Sequence, residues 1–122
     1  MRRRSSLILL AAAGCLTALL AGCSSVAEPE VAKAAAAFEN PTADPASRCD
    51  LLAPATREVF EQSAPCPDAI GQLPFQGGDP HGVQVWGGSA QAKVGTDTVF
   101  LTETKTGWKV TAALCQPRGQ AP

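Results

Sequence analysis

Residues 83–115 read VQVWGGSAQAKVGTDTVFLTETKTGWKVTAALC, and their period is two. Apolar and polar side chains alternate in short runs, and each run ends on turn formers. Gly87-Gly88 is a two-residue hairpin signal. Gly95-Thr96-Asp97 and Lys105-Thr106-Gly107 mark two further turns. Four strands follow, at about 83–86, 90–94, 98–104 and 108–115, joined as an antiparallel meander. In the last of them the alternation puts Trp108, Val110, Ala112 and Leu114 on one face.

Upstream of this segment the period changes. Residues 74–82, Pro-Phe-Gln-Gly-Gly-Asp-Pro-His-Gly, are a turn-rich link. Before it lie helical signals. Val31, Ala34, Ala35 and Phe38 recur at i, i+3, i+4 and i+7, which predicts a helix at about 30–39 that begins after Pro29 and ends at Asn40-Pro41. Asp44 is an N-cap with Pro45 at the first helical position, opening a helix at about 45–52. Pro54 interrupts, and a third helix at about 55–62 turns Val59 and Phe60 inward. Cys66 stands between Pro65 and Pro67, ahead of a last helical turn carrying Ile70 and Leu73. Helices first and strands after make an α+β domain, with the helices covering one face of the sheet.

The chain begins with Arg2-Arg3-Arg4, followed by an uncharged apolar stretch from Leu7 to Ala21. That stretch is about 15 residues long, short of the roughly 20 that span a bilayer, and it reads as a signal peptide over residues 1–22. Leu20-Ala21-Gly22-Cys23 is similar to the bacterial lipobox. Small residues at 21 and 22 give a peptidase access to the bond before Cys23, whose thiol takes a diacylglyceryl group. The earlier Ala13-Gly14-Cys15 has Ala12 where the lipobox has Leu, so Cys15 leaves with the signal. Ser6 occupies the place where a twin-arginine signal prefers a bulky apolar residue, which favours the general secretory route. Residues 23–30 are then the lipidated cysteine and a short polar tether, with an extended reach of about 25 Å. Residues 31–117 form the domain and 118–122 a tail.

Processing at Cys23 leaves 100 of the 122 residues, enough for one small domain. It removes three of the ten basic residues and none of the eleven acids, so the mature net charge is −4. No basic cluster remains, which argues against nucleic acid and against charge-driven adhesion to anionic lipid. Two acyl chains on Cys23 are sufficient for stable anchoring without charge. The site expected is the outer face of the cytoplasmic membrane.

Three cysteines remain beyond the anchor: Cys49, Cys66 and Cys115. In an oxidising compartment pairing is expected, and three pairings exist. Cys49 and Cys66 fall in neighbouring helices with a short connection, which makes them the expected pair and leaves Cys115 over. Zinc is not expected, because there is no Cys-x-x-Cys and His81 is the single histidine. Nor is a cofactor, a phosphate loop or a catalytic triad. His81 lies two residues from Asp79 among turn formers and reads as a solvated loop residue. Arg48 and Asp50 read as solvent-facing or locally paired rather than as lining a cavity. Glu58, Glu61, Glu103 and Lys105 read as solvated. Trp86 and Trp108 both fall on the sheet. They either line an apolar ligand pocket or pack in the core.

With these segments placed, the mature chain resembles a family of small actinobacterial lipoproteins of unknown function. The resemblance is carried by Cys49-Asp50-Leu51-Leu52-Ala53-Pro54-Ala55-Thr56-Arg57, then Cys66, Val85-Trp86-Gly87, Ala90-Gln91 and Asp97-Thr98-Val99-Phe100-Leu101. It ends on Gly107-Trp108-Lys109-Val110 and Ala112-Ala113 ahead of Cys115, and spans roughly 38–118. Abundant alanine and scarce lysine, as in high-GC genomes, agree with such a source. Members of the family continue past the Cys115 position to another cysteine. The resemblance thus implies that Cys115 has lost its partner, by truncation after Pro122 or by natural variation. The order of elements is also similar to the cone-shaped fold of the nuclear transport factor two-like superfamily, which hosts enzymes and non-catalytic binding domains alike. The function expected is non-catalytic: a membrane-anchored domain that binds an envelope protein or a small ligand. The alternatives are a cone-fold enzyme or apolar-ligand carrier with a pocket at Trp86 and Trp108, and a structural subunit of an envelope complex.

Overall fold

Alternation in the C-terminal third produces four strands, β1 Pro80–Trp86, β2 Ser89–Val94, β3 Asp97–Thr104 and β4 Gly107–Ala112, paired antiparallel in the order β1-β2-β3-β4. The computed structural model describes residues 21–115, with side chains from Val26 onward. Four helices precede the sheet: α1 Ala21–Glu39, α2 Pro45–Asp50, α3 Pro54–Glu61 and α4 Cys66–Ile70. The architecture is α+β with a C-terminal meander, as the change of period predicts.

Helix α1 covers one face of the sheet. Val31, Ala35 and Phe38 are buried on its apolar stripe, against Ala90, Ala92, Val94, Val99, Leu101 and Val110. Small alanines on β2 let the helix approach closely, and the β-branched and leucine side chains fill the remaining space. The row Val85–Ala90–Leu101–Val110 runs across all four strands beneath the helix. The opposite face carries the row Trp86–Ser89–Thr102–Lys109.

The two sheet edges are treated differently. Beyond β4, residues 51–53 add a parallel bridge: Val110 N–H donates to Leu51 O at 2.7 Å and Ala53 N–H donates to Val110 O at 2.8 Å. The β1 edge is unpaired within the sheet. Pro80 opens that strand, and the register shifts between His81 and Gln84 around Gly82. A proline and a bulge are features that discourage edge-to-edge pairing.

Three elements differ from the sequence expectation. Helix α1 is already helical at Ala21, the first described residue, rather than starting near residue 30, so the segment expected as a tether, 23–30, is helical. The helix passes through Pro29, which lacks the N–H for one intrahelical bond. Val59 of α3 is 63% exposed, not turned inward, whereas Phe60 packs against the core. Strand β4 stops at Ala112 instead of reaching Cys115. A register shift sets Ala112 opposite Phe100 while Val110 stays opposite Leu101, so Val110, Ala112 and Leu114 do not share one face. The bulged Thr111 hydroxyl donates to Phe100 O at 3.2 Å. Residues 1–20 and 116–122 lie outside the described residues, and with them most of the segment expected to be a signal peptide, Cys15 and the expected tail.

Candidate functional site

Helix α1 ends against the turn between β2 and β3, and its last residue, Glu39, is 2% exposed. A glutamate at that depth is costly unless it is neutral or paired. Its carboxyl is pushed up to about 8, first by burial, then by a hydrogen bond with the Asp97 side chain and by the Asp97 charge. The Arg48 charge opposes that rise. Near neutral pH the acid form of Glu39 therefore predominates, and its O–H can donate to Asp97. Glu39 Oε1 is buried without a hydrogen-bond partner.

Asp97 has a second task. Both of its carboxylate oxygens accept from Leu114 N–H, at 3.1 and 2.9 Å. Leu114 has a φ of 53°, a left-handed conformation that costs a branched residue about 1 kcal/mol or more. Asp97 thus fastens the chain just past β4. Glu39, Asp97 and Leu114, with Pro74, Gln76, Gly77, Val94 and Thr96, surround a cavity of about 160 Å³. That is below the size of pockets that enclose drug-sized ligands.

Arg48, 3% exposed, completes the cluster from α2. Its Nε donates to Phe38 O at 2.8 Å, and its Nη2 donates to Asn40 O. These carbonyls lie at the C-terminal end of α1, where a cation is favoured by the helix dipole. The guanidinium stacks 3.8 Å from the Phe75 ring centroid, and Phe75 meets Phe38 edge to face at 5.3 Å. Burial works against the charge of Arg48, and the proximity of Glu39 favours it. Arg48 is therefore a buried clamp between α1, α2 and the 74–78 link, not the solvent-facing residue the sequence suggests. Asp50, next but one along the helix, does pair at the surface, with Arg57 at 3.2 Å.

At the opposite end of the sheet are two grooves that share Trp108. One, of about 440 Å³, is lined by Val26, Ala27, Glu30, Val85, Gly87, Glu103 and Trp108. The other, of about 430 Å³, runs along α1 past Lys33, Ala34, Ala37 and Leu51. Trp108 is half-buried between them. Trp86 is not with it. It is 52% exposed, on the other face of the sheet and on the far edge strand. The expectation that the two indoles could line one pocket fails, because adjacent strands set Trp86 opposite Ser89 and Trp108 opposite Glu103. The side of the sheet beneath α1 is filled by the core, which leaves grooves at its margin.

The remaining candidates are placed as follows. Cys49 and Cys66 are bonded, with Cα atoms 6.2 Å apart, and link α2 to α4. Among the described residues Cys115 is exposed and unpaired. Cys23 lies within α1, and its side chain is outside those described. His81 is exposed, with Nδ1 3.2 Å from Asp79 O. Among the described residues no three His, Cys, Asp or Glu side chains gather as a metal site would need. No described helix is long and apolar enough to cross a membrane. Comparison with known protein families, with curated proteins and with solved structures finds no match for this chain.

Proposed function

We propose that the chain is a lipoprotein, anchored through a diacylglyceryl group on Cys23 to the outer face of the cytoplasmic membrane. Its small α+β domain acts there as a non-catalytic binding or accessory module. The observation that carries this reading is the order of residues around the anchor. A basic start, an apolar stretch too short to span and Leu20-Ala21-Gly22-Cys23 stand directly ahead of a folded domain. The Cys49–Cys66 disulfide supports an oxidising compartment. The filled layer between α1 and the sheet favours a binding or accessory role over a cone-fold enzyme, which would need an open cavity beneath the helix. A groove that remains open to a partner protein or small ligand runs along α1 past Lys33, Ala34, Ala37 and Leu51.

The test is replacement of Cys23→Ser in cells fed an alkynyl fatty acid. The wild-type protein is expected to carry the label and to sediment with membranes, with a mass fitting cleavage before Cys23 plus a diacylglyceryl group. The variant is expected to lose the label and to accumulate as precursor. Undiminished labelling of the Cys23→Ser protein would overturn the anchor.

A further inference from the structure

The domain is joined to its anchor by a helix, not by a slack tether, and that fixes which end of the molecule meets the membrane. From Cys23 to Val26 is three helical residues, an axial rise of about 4.5 Å. From Cys23 to Glu30 the rise is about 10 Å, where an extended segment would reach about 25 Å. The N-terminal part of α1 lies at the end of the sheet where β1 turns into β2 and β3 into β4, because Val26, Ala27 and Glu30 share a groove with Gly87, Glu103 and Trp108. The C-terminal end of α1, with Glu39, lies at the other pole beside Asp97.

The anchor pole also carries two of the exposed large apolar side chains among the described residues. Val26 is 77% exposed and Trp86, beside the Gly87-Gly88 turn, is 52% exposed. A tryptophan exposed at the rim of a domain suits the headgroup region, where its apolar ring and polar N–H are both satisfied. Lys105 is exposed on the neighbouring turn. The charges here are mixed, Glu28, Glu30 and Glu103 against Lys105, so apolar contact rather than attraction to anionic lipid would provide the adhesion.

We propose that this pole is a membrane-docking surface. On this account the lipidated domain rests on the bilayer in one orientation, with Val26, Trp86 and the two hairpin turns at the headgroups. The Glu39–Asp97 pole then faces away, on the order of 25 Å from the anchor along α1. The inference rests on the Cys23 anchor proposed above.

The experiment uses the lipidated wild-type protein in phosphatidylcholine–phosphatidylglycerol nanodiscs doped with a gadolinium-chelating headgroup lipid. Paramagnetic broadening of backbone amides is read residue by residue. Broadening at Gly87, Gly88 and Lys105 is expected to exceed that at Gly95 and Thr96 at least fivefold. Equal broadening at the two poles, or the reverse pattern, would overturn the docked orientation while leaving the anchor intact. Failure of the protein to co-elute with the nanodiscs would overturn the anchor and the docking with it. A second readout is Trp86 fluorescence in a Trp108→Phe protein, which brominated phospholipid is expected to quench at least twofold. Unchanged emission from a vesicle-bound, folded protein would count against docking.

Discussion

Glu39 is the residue whose chemistry is furthest from its ordinary state. Its carboxyl holds a proton up to about 8 in the folded protein, against an ordinary value of 4.5. Between those values the folded state keeps a proton that the unfolded chain has released. Stability therefore falls as pH rises from about 4.5 to about 8, by at most about 1.4 kcal/mol per pH unit, and is level in this respect outside that window. Glu39→Gln keeps the neutral shape and is expected to remove that part of the slope, making the protein more stable than wild type at pH 8. Urea unfolding of both proteins from pH 5 to 8.5 checks this, and parallel slopes would contradict it. Arg48 is the complementary case. Arg48→Met keeps the bulk beside Phe75 but leaves Phe38 O short of a donor and α1 without its cation. A loss of about 3 kcal/mol is expected in the same assay. The two residues differ in legibility. Glu39 lies four residues after Ala35 and eight after Val31, so the helical period that marks the buried stripe also marks it, once the helix is carried one residue past Phe38. Nothing near Arg48 in sequence signals its burial, because Phe75 and the end of α1 reach it only through the fold.

At the scale of elements, the short helices depend on a covalent link. Helices α2 and α4 have six and five residues, too few to be stable alone. The disulfide between them closes a loop over a sequence separation of 17. Replacing Cys49→Ser together with Cys66→Ser is expected to lower stability by about 3 kcal/mol, read by thermal or urea unfolding under non-reducing conditions. A change below about 0.5 kcal/mol would mean that α2 and α4 are held by packing alone. The turn between β2 and β3 is a second such point. Gly95 has a φ of +59°, and a Cβ there would stand 2.9 Å from Gly77 O. Gly95→Ala is expected to cost about 1–3 kcal/mol through both the backbone conformation and the approach of the 77–78 loop. Strands and turns were legible because alternation and glycine pairs are local signals. The extra turns of α1 were not, because Pro29 is a valid helix start and the sequence alone offers no reason to prefer a continuous helix through it.

For the whole molecule, the core lies between α1 and the sheet, and the rest is arranged around it. Helix α3 contains no buried residue, whereas Val99, Leu101 and Val110 are almost wholly covered. Native-state hydrogen exchange is therefore expected to show α3 amides opening well before those of β3, and uniform protection would contradict this hierarchy. The sequence by itself determined the α+β class, the meander and the turns, favoured the Cys49–Cys66 pair among three, and carries the Leu20-Ala21-Gly22-Cys23 stretch on which the proposed anchor stands. These are local properties: periods of two or 3.6, turn residues and spacing along the chain. Only the tertiary structure decided that Trp86 and Trp108 face opposite ways, that Arg48 is buried, that Glu39 meets Asp97, and that residues 21–39 form one helix running into the core. Each of these depends on register across strands or on contacts between distant segments. A one-residue shift in register exchanges the faces of a strand, and a local pattern does not fix which neighbours it will meet.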